Sequence, residues 1–146
     1  MPQATDAGAP WITASVGPHG FQTGIRAGDH QIIADEPASV GGGGSGPTPY
    51  DLLLAAVAGC TAMTVRMYAS RKGWPLDGAE VGFRTARSHA EDCNECETKP
   101  LAKLALERRI ELKGDLNAEQ RERLLQVADR CPVKQMLDPR IEVRAV

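Results

Sequence analysis

Apolar and polar positions alternate in short runs through the first third of the chain, merge into one long apolar block, and then alternate again. The runs Trp11–Val16, Phe21–Arg26 and Gln31–Ala34 have strand-like content, and the breaks at Gly17-Pro18 and Gly28-Asp29-His30 suit hairpin turns. They predict a small antiparallel meander. Residues 1–49 hold 10 of the 15 glycines and 6 of the 10 prolines, so turns crowd this region. The glycine-rich run 41–46 precedes a helix, as a phosphate-binding loop does, but no Gly-Lys-Ser/Thr follows it. The run predicts a flexible connector.

The apolar block predicts a long helix from Tyr50 to Lys72. Thr48 suits the N-cap, Pro49 the first helical position, and Gly73 and Pro75 the stop. Between Leu52 and Val65 the helix is apolar almost all round, which predicts a central, buried element. Gly59, Thr61 and Thr64 interrupt that stretch, leaving it short of the ~20 residues of a membrane span. Beyond it, Glu80–Arg87 and Leu106–Lys113 alternate like strands, joined by a polar linker that contains Cys93 and Cys96. Asn117 with Gln120 forms a capping-box pattern for a helix ending near Arg130, its apolar face supplied by Leu124, Leu125 and Val127. Cys131-Pro132 ends that helix, and Ile141–Val146 reads as a last strand. The order predicts an α+β fold. Residues 1–146 read as one domain, with 1–19 either flexible or an edge strand.

Composition narrows the function classes. The 146 residues are 42% apolar and 25% charged, as in ordinary globular proteins, and the net charge of −2 gives no basic footprint for nucleic acid. The N-terminal MPQATDAGAP has neither the basic region nor the apolar core of a secretory leader, so a cytoplasmic protein is expected. In a reducing compartment, four cysteines point more to catalysis or metal binding than to structural disulfides.

Each thiol has a plain reading beside a chemical one. Cys60 lies mid-helix among apolar residues, where a thiol packs as a small hydrophobe and reacts only if a cation stands near. Gly59 removes a side chain beside it and opens room for a substrate or another backbone. Cys131 follows a helix C-terminus, whose dipole disfavours a thiolate; a resolving thiol tolerates that better than a first nucleophile. Cys93-x-x-Cys96 reads first as incidental thiols in a polar loop; with His89 it offers three ligands, short of the four a zinc site needs without a carboxylate, and an accessory dithiol is the other chemical reading. His19 and His30 fall near turns and read as solvent-facing. No Ser-His-Asp set is evident.

The stretch Gly46-Pro-Thr-Pro-Tyr-Asp-Leu-Leu-Leu-Ala-Ala-Val-Ala-Gly-Cys60-Thr-Ala-Met-Thr, together with Arg130-Cys131-Pro132-Val133, resembles the OsmC/Ohr family of osmotically inducible and organic-hydroperoxide-resistance proteins. The resemblance runs from about residue 20 to the end. It implies antiparallel sheets around a long buried helix in an intertwined homodimer, with active sites at the subunit interface. It also implies a thiol peroxidase for organic hydroperoxides, in which Cys60 is peroxidatic and Cys131 resolving. No bound cofactor is implied; the reductant is an external dithiol, lipoyl-type in some members.

Two departures from the family pattern stand out. Where the hydroperoxide reductases carry a glutamate ten residues before the first cysteine, this chain has Tyr50, and the nearest acid is Asp51. Nine helical residues put Asp51 roughly 13 Å along the axis from Cys60 and on the opposite side, so it could serve only a neighbouring site in a dimer. For the arginine that activates the family's thiol, Arg26 is the candidate by order, with Arg66 and Lys134 as alternatives. Leu53, Val57, Met63 and Met67 are available as apolar walls for an alkyl chain. The competing functions are a non-catalytic small-ligand-binding protein on the same fold, and a metal-binding or redox-sensing protein working through Cys93 and Cys96.

Overall fold

The computed structural model describes residues 8–98 and 105–137. It divides into two compact units, Met1–Leu52 with Arg87–Leu101, and Leu53–Ala86 with Ala102–Val146. The expected strand Ile141–Val146 lies outside the described residues.

In the first unit, β1 (Ile12–Val16), β2 (Thr23–Ala27) and β3 (His30–Ala34) form an antiparallel meander in that order, as the alternation predicts. Ala27 pairs with His30 across a two-residue turn, and Gly28 supplies the positive φ of 61° that such a turn demands. The register places Ile12, Ala14, Val16, Ile25 and Ile32, with Thr23 and His30, on one mainly apolar face and Thr13, Ser15, Arg26 and Gln31, with Ile33, on the other. On the apolar face Ile12, Val16 and Ile32 are exposed in the single chain.

The glycine-rich run is an ordered loop rather than the flexible connector its composition suggests. Asp35, buried, gathers it: its carboxylate accepts from the amides of Glu36 (2.8 Å), Gly43 (3.2 Å) and Ser45 (3.1 Å) and from the Ser45 hydroxyl (2.7 Å). These donors, the Ser45 hydroxyl foremost, hold the Asp35 carboxyl below its usual value. A Cβ on Gly46 would stand 2.0 Å from the Ile33 carbonyl oxygen, and one on Gly42 1.8 Å from that of Glu36. Close backbone approach therefore accounts for these two glycines.

The long helix α1 spans Pro49–Lys72, with Pro49 at its first position and Lys72 at its last, as expected. Its start is a reciprocal cap: the Thr48 hydroxyl accepts from the Asp51 amide (3.2 Å), and the Asp51 carboxylate accepts from the Thr48 amide (3.0 Å). A short helix α2 (His89–Glu95) replaces the expected polar linker in the first unit.

The second unit pairs β4 (Gly78–Arg84) with β5 (Glu107–Lys113) antiparallel, with Val81 opposite Ile110. α3 (Ala118–Ala128) opens with the expected capping box: the Gln120 amide donates to Asn117 Oδ1 at 2.8 Å, and the Asn117 amide to Gln120 Oε1 at 3.0 Å. The core joins Val65 and Ala69 of α1 to Leu76, Leu116, Leu124 and Ala128, flanked by Tyr68, Trp74, Ile110 and Leu112. Leu125, expected in the apolar face of α3, is exposed instead, one helical step off the buried line. Arg121 ties the turn after β5 to α3 by donating to the carbonyls of Leu112, Gly114 and Leu116.

The burial of α1 differs from the expectation. Only Val57, Thr61, Val65 and Ala69 are buried, a single stripe at four-residue spacing. Two residues further on, and so on the opposite side, Met63 and Met67 are 68% and 63% exposed. An all-round apolar sequence states what the helix needs, whereas one chain covers only one side of it. Counted as a helix rather than as an uninterrupted run, α1 has the length and hydropathy of a membrane span, with a mean hydropathy of 1.5 over its best 18 residues. On the side of Met63 and Met67 that apolar surface is exposed.

Candidate active site

Two of the four free thiols meet in the second unit. Cys60 sits on α1 about 60° round from the buried stripe, which leaves it half-buried. Cys131 is fully buried, its thiol directed at the Val57 carbonyl oxygen at 3.8 Å. Val57 lies one helical turn before Cys60 on α1, and Cys60 is among the groups that lower the Cys131 thiol.

Cys131 is not a thiol at a helix end, as its sequence context suggests. α3 stops at Ala128, and a second helix, α4 (Pro132–Leu137), begins directly after the cysteine. Burial pushes the Cys131 thiol up, and this is the largest single influence on it. It is outweighed by the Lys134 amide, the Cys60 thiol, the Thr61 hydroxyl and the Val133 amide, all of which favour the thiolate. The net result is a thiol held below its ordinary value. The signal for this is Pro132, the favoured first residue of a helix as well as a stop.

The other candidates lie elsewhere. Asp51 spends its carboxylate on the cap of α1. Arg26 lies on β2 in the first unit, opposite Thr13 and Gln31, exposed on the polar face of the meander. The Arg66 guanidinium donates to the Leu76 carbonyl, and Lys134 Nζ pairs with Asp129 at 3.5 Å. Val57, a candidate pocket wall, is fully buried in its own chain; Leu53 is half-buried, and Met63 and Met67 are exposed.

The dithiol and histidine read as metal candidates do not converge. His89 Nδ1 lies 2.5 Å from Glu36 Oε1, and the nitrogen is the donor because a carboxylate only accepts. Cys93 and Cys96 are exposed on α2 and at its end. Among the described residues no three His, Cys, Asp or Glu side chains form a ligand group.

A polar cluster in the first unit has no counterpart in the sequence pattern. The Tyr50 hydroxyl donates to Asp92 Oδ2, which also pairs with Arg87 Nη2 at 2.8 Å, and the Tyr50 ring meets His89 edge-on at 5.4 Å. Arg87 first, then Tyr50, keeps the Asp92 carboxyl below its usual value. Burial, then the Asp92 bond, raises the Tyr50 phenol. Tyr50 thus ties the start of α1 to α2 through Asp92.

A family model described as OsmC-like protein matches residues 42–145. The chain belongs to the OsmC-like family. No curated protein sequence matches it. Among solved structures it is similar to an OsmC-like protein from Mycoplasma pneumoniae, at 19% identity over 92% of this chain and 90% of that one, with a TM-score of 0.71. It is also similar to an organic hydroperoxide resistance protein OsmC from Legionella pneumophila, at 19% identity, 92% and 94% coverage and a TM-score of 0.64. The organic hydroperoxide resistance protein OhrB of Bacillus subtilis matches at 21% identity, 88% and 90% coverage and a TM-score of 0.59. At such identities these likenesses establish the fold: antiparallel sheets with a long helix.

Proposed function

We propose that this OsmC-like protein is a cysteine-based thiol peroxidase that reduces organic hydroperoxides, with Cys60 peroxidatic and Cys131 resolving. The supporting observation is the pairing of a half-buried thiol with a fully buried one whose thiolate is favoured. Peroxide reaches only the accessible sulfur. Cys60 thiolate attacks the O–O bond, and the alkoxide leaves as alcohol after taking a proton. The resulting Cys60 sulfenic acid is attacked by Cys131, which forms the disulfide and releases water. An external dithiol then restores both thiols by exchange and becomes a disulfide itself.

A second copy of the chain is the cover that the exposed side of α1 and the apolar face of the meander call for. We assign the protein a homodimer in the cytoplasm, in which Met63 and Met67 contribute apolar surface near Cys60 for the alkyl part of the substrate.

The test is thiol loss in the reduced protein after one equivalent of cumene hydroperoxide, made in a Cys93→Ser/Cys96→Ser background so that only the pair is counted. Rapid loss of both thiols is expected, with no such loss in Cys60→Ser and a trappable sulfenic acid in Cys131→Ser. Thiol loss no faster than that of free cysteine would overturn the peroxidase reading and leave a ligand-binding protein on the same fold.

A further inference from the structure

Cys93 and Cys96 take no part in the cycle above, yet both are free, exposed and three residues apart on one turn. Cys96 has helical dihedrals, φ −63° and ψ −23°, so helix geometry sets the two Cα atoms about 5 Å apart. That lies within the range a disulfide spans. The Cys96 thiol is already folded back onto the turn that carries Cys93, donating to the Cys93 carbonyl at 3.1 Å.

We propose that Cys93 and Cys96 form a second redox couple, separate from Cys60 and Cys131, which closes to a disulfide by exchange with small disulfides of neutral or positive charge. In the first step a thiolate of the pair attacks the small disulfide, forms a mixed disulfide and expels one thiolate, which takes up a proton. The other cysteine then attacks the protein-side sulfur and expels the second. The pair loses two electrons and two protons, and the small disulfide becomes two thiols.

Two features give the couple its character. The first is charge: Glu91, Asp92, Glu95 and Glu97 flank the pair in sequence against Arg87 and Lys99, a net charge of −2 over residues 87–99, with Asp92 already paired to Arg87. Anionic disulfides are repelled from such a surface and cationic ones are drawn to it. The second is strain. Helical residues three apart hold their Cβ atoms about 5–6 Å apart, against the roughly 4 Å a disulfide prefers. Closure must therefore open the last turn of α2, a helix of 7 residues with no side-chain bond at its N-cap. A bond formed against strain is readily reduced, as suits an exchange site rather than a structural bridge.

The experiment treats the full chain with cystamine, hydroxyethyl disulfide or oxidised glutathione at low ionic strength, then maps the peptide that follows Arg87. The expected product is that peptide lighter by two hydrogens and free of adduct. It should form roughly tenfold faster with cystamine than with oxidised glutathione, and added salt should narrow the difference. Cys96→Ser should stop at a mixed disulfide on Cys93. The Cys93→Ser/Cys96→Ser chain should consume hydroperoxide at the parent rate, which keeps this couple distinguishable from the peroxidase pair whether or not the latter is active. Stable adducts on both cysteines, no reaction, or equal rates with all three disulfides would overturn the proposal.

Discussion

Cys131 is fully buried with its thiol directed at the Val57 carbonyl, one helical turn before Cys60, and Cys60 is among the groups that hold the Cys131 thiol below its ordinary value. A lowered thiol ionises more fully at neutral pH, and ionisation is what the resolving attack requires. After a pulse of hydroperoxide, the rate of disulfide closure should rise with pH to a plateau whose midpoint lies below the ordinary thiol value of 9.0. Thr61→Val removes one of the groups that favour the thiolate, a hydroxyl that donates to the Val57 carbonyl (2.8 Å) and can turn to the sulfur when it ionises, and should move that midpoint upward. It should also slow closure at neutral pH by about 2–5-fold, the share of one hydrogen bond worth about 0.5–1 kcal/mol. Stopped-flow tryptophan fluorescence across pH would follow both. A midpoint at or above 9.0 would show that burial wins over the donors.

The carboxylates give a separate prediction about acid. Asp35, Asp92 and Asp129 are all held below the usual value, by the Ser45 hydroxyl, Arg87 and Arg108 respectively as the leading donors. The unfolded chain therefore takes up these protons at higher pH than the folded chain does. Their stabilisation is complete above the unfolded value of about 3.9 and is lost as pH falls through the lower folded values. Melting temperature should be level from about pH 7 to pH 5 and decline below about pH 4. Asp92→Asn should lower the plateau and make the decline shallower. A decline centred near pH 6, in the histidine range, would contradict this account.

The local elements are legible in the sequence because local chemistry decides them. The meander, the Asn117–Gln120 box and the start and stop of α1 each rest on residues close in sequence. The contacts that organise the sites join residues far apart. Nothing near Tyr50 announces Asp92, and nothing in a glycine run announces that Asp35 will gather its amides. Cys131 resists reading for a subtler reason: Pro132 is both a helix stop and a helix start, and only the chain beyond it decides between them. The buried circumference of α1 is smaller than its sequence predicts because apolar composition does not reveal whether cover comes from the same chain.

The glycine loop separates two kinds of glycine requirement. Gly46 has its missing Cβ position blocked by the Ile33 carbonyl oxygen at 2.0 Å, whereas Gly44 has φ 63° with nothing within 4 Å. Gly46→Ala should force the loop off the sheet and cost about 3 kcal/mol or more. Gly44→Ala meets only the left-handed strain of about 1–2 kcal/mol. Urea midpoints of the two variants should differ accordingly. Equal midpoints would mean that the loop does not lie against Ile33 in solution.

Gly59 tests the proposed dimer through a conflict of signs. It lies inside α1 on the side away from the buried stripe, with nothing beyond the adjoining backbone of its own helix within 4 Å of the point where a methyl group would stand. In the isolated chain Gly59→Ala should therefore stabilise the helix by about 0.5–1 kcal/mol, through reduced freedom of the unfolded backbone. If a second copy packs on this side, the same methyl group enters the contact, and each ~1.4 kcal/mol of clash weakens association tenfold. Sedimentation equilibrium over a dilution series, in buffer without detergent, reads the second effect, and urea unfolding at concentrations where monomer dominates reads the first. The expected result is a firmer monomer and a weaker dimer, with slower hydroperoxide consumption once the subunits part. A variant firmer in both respects would place the contact on another face of the chain, and the cover for Met63 and Met67 would then have to come from a different partner.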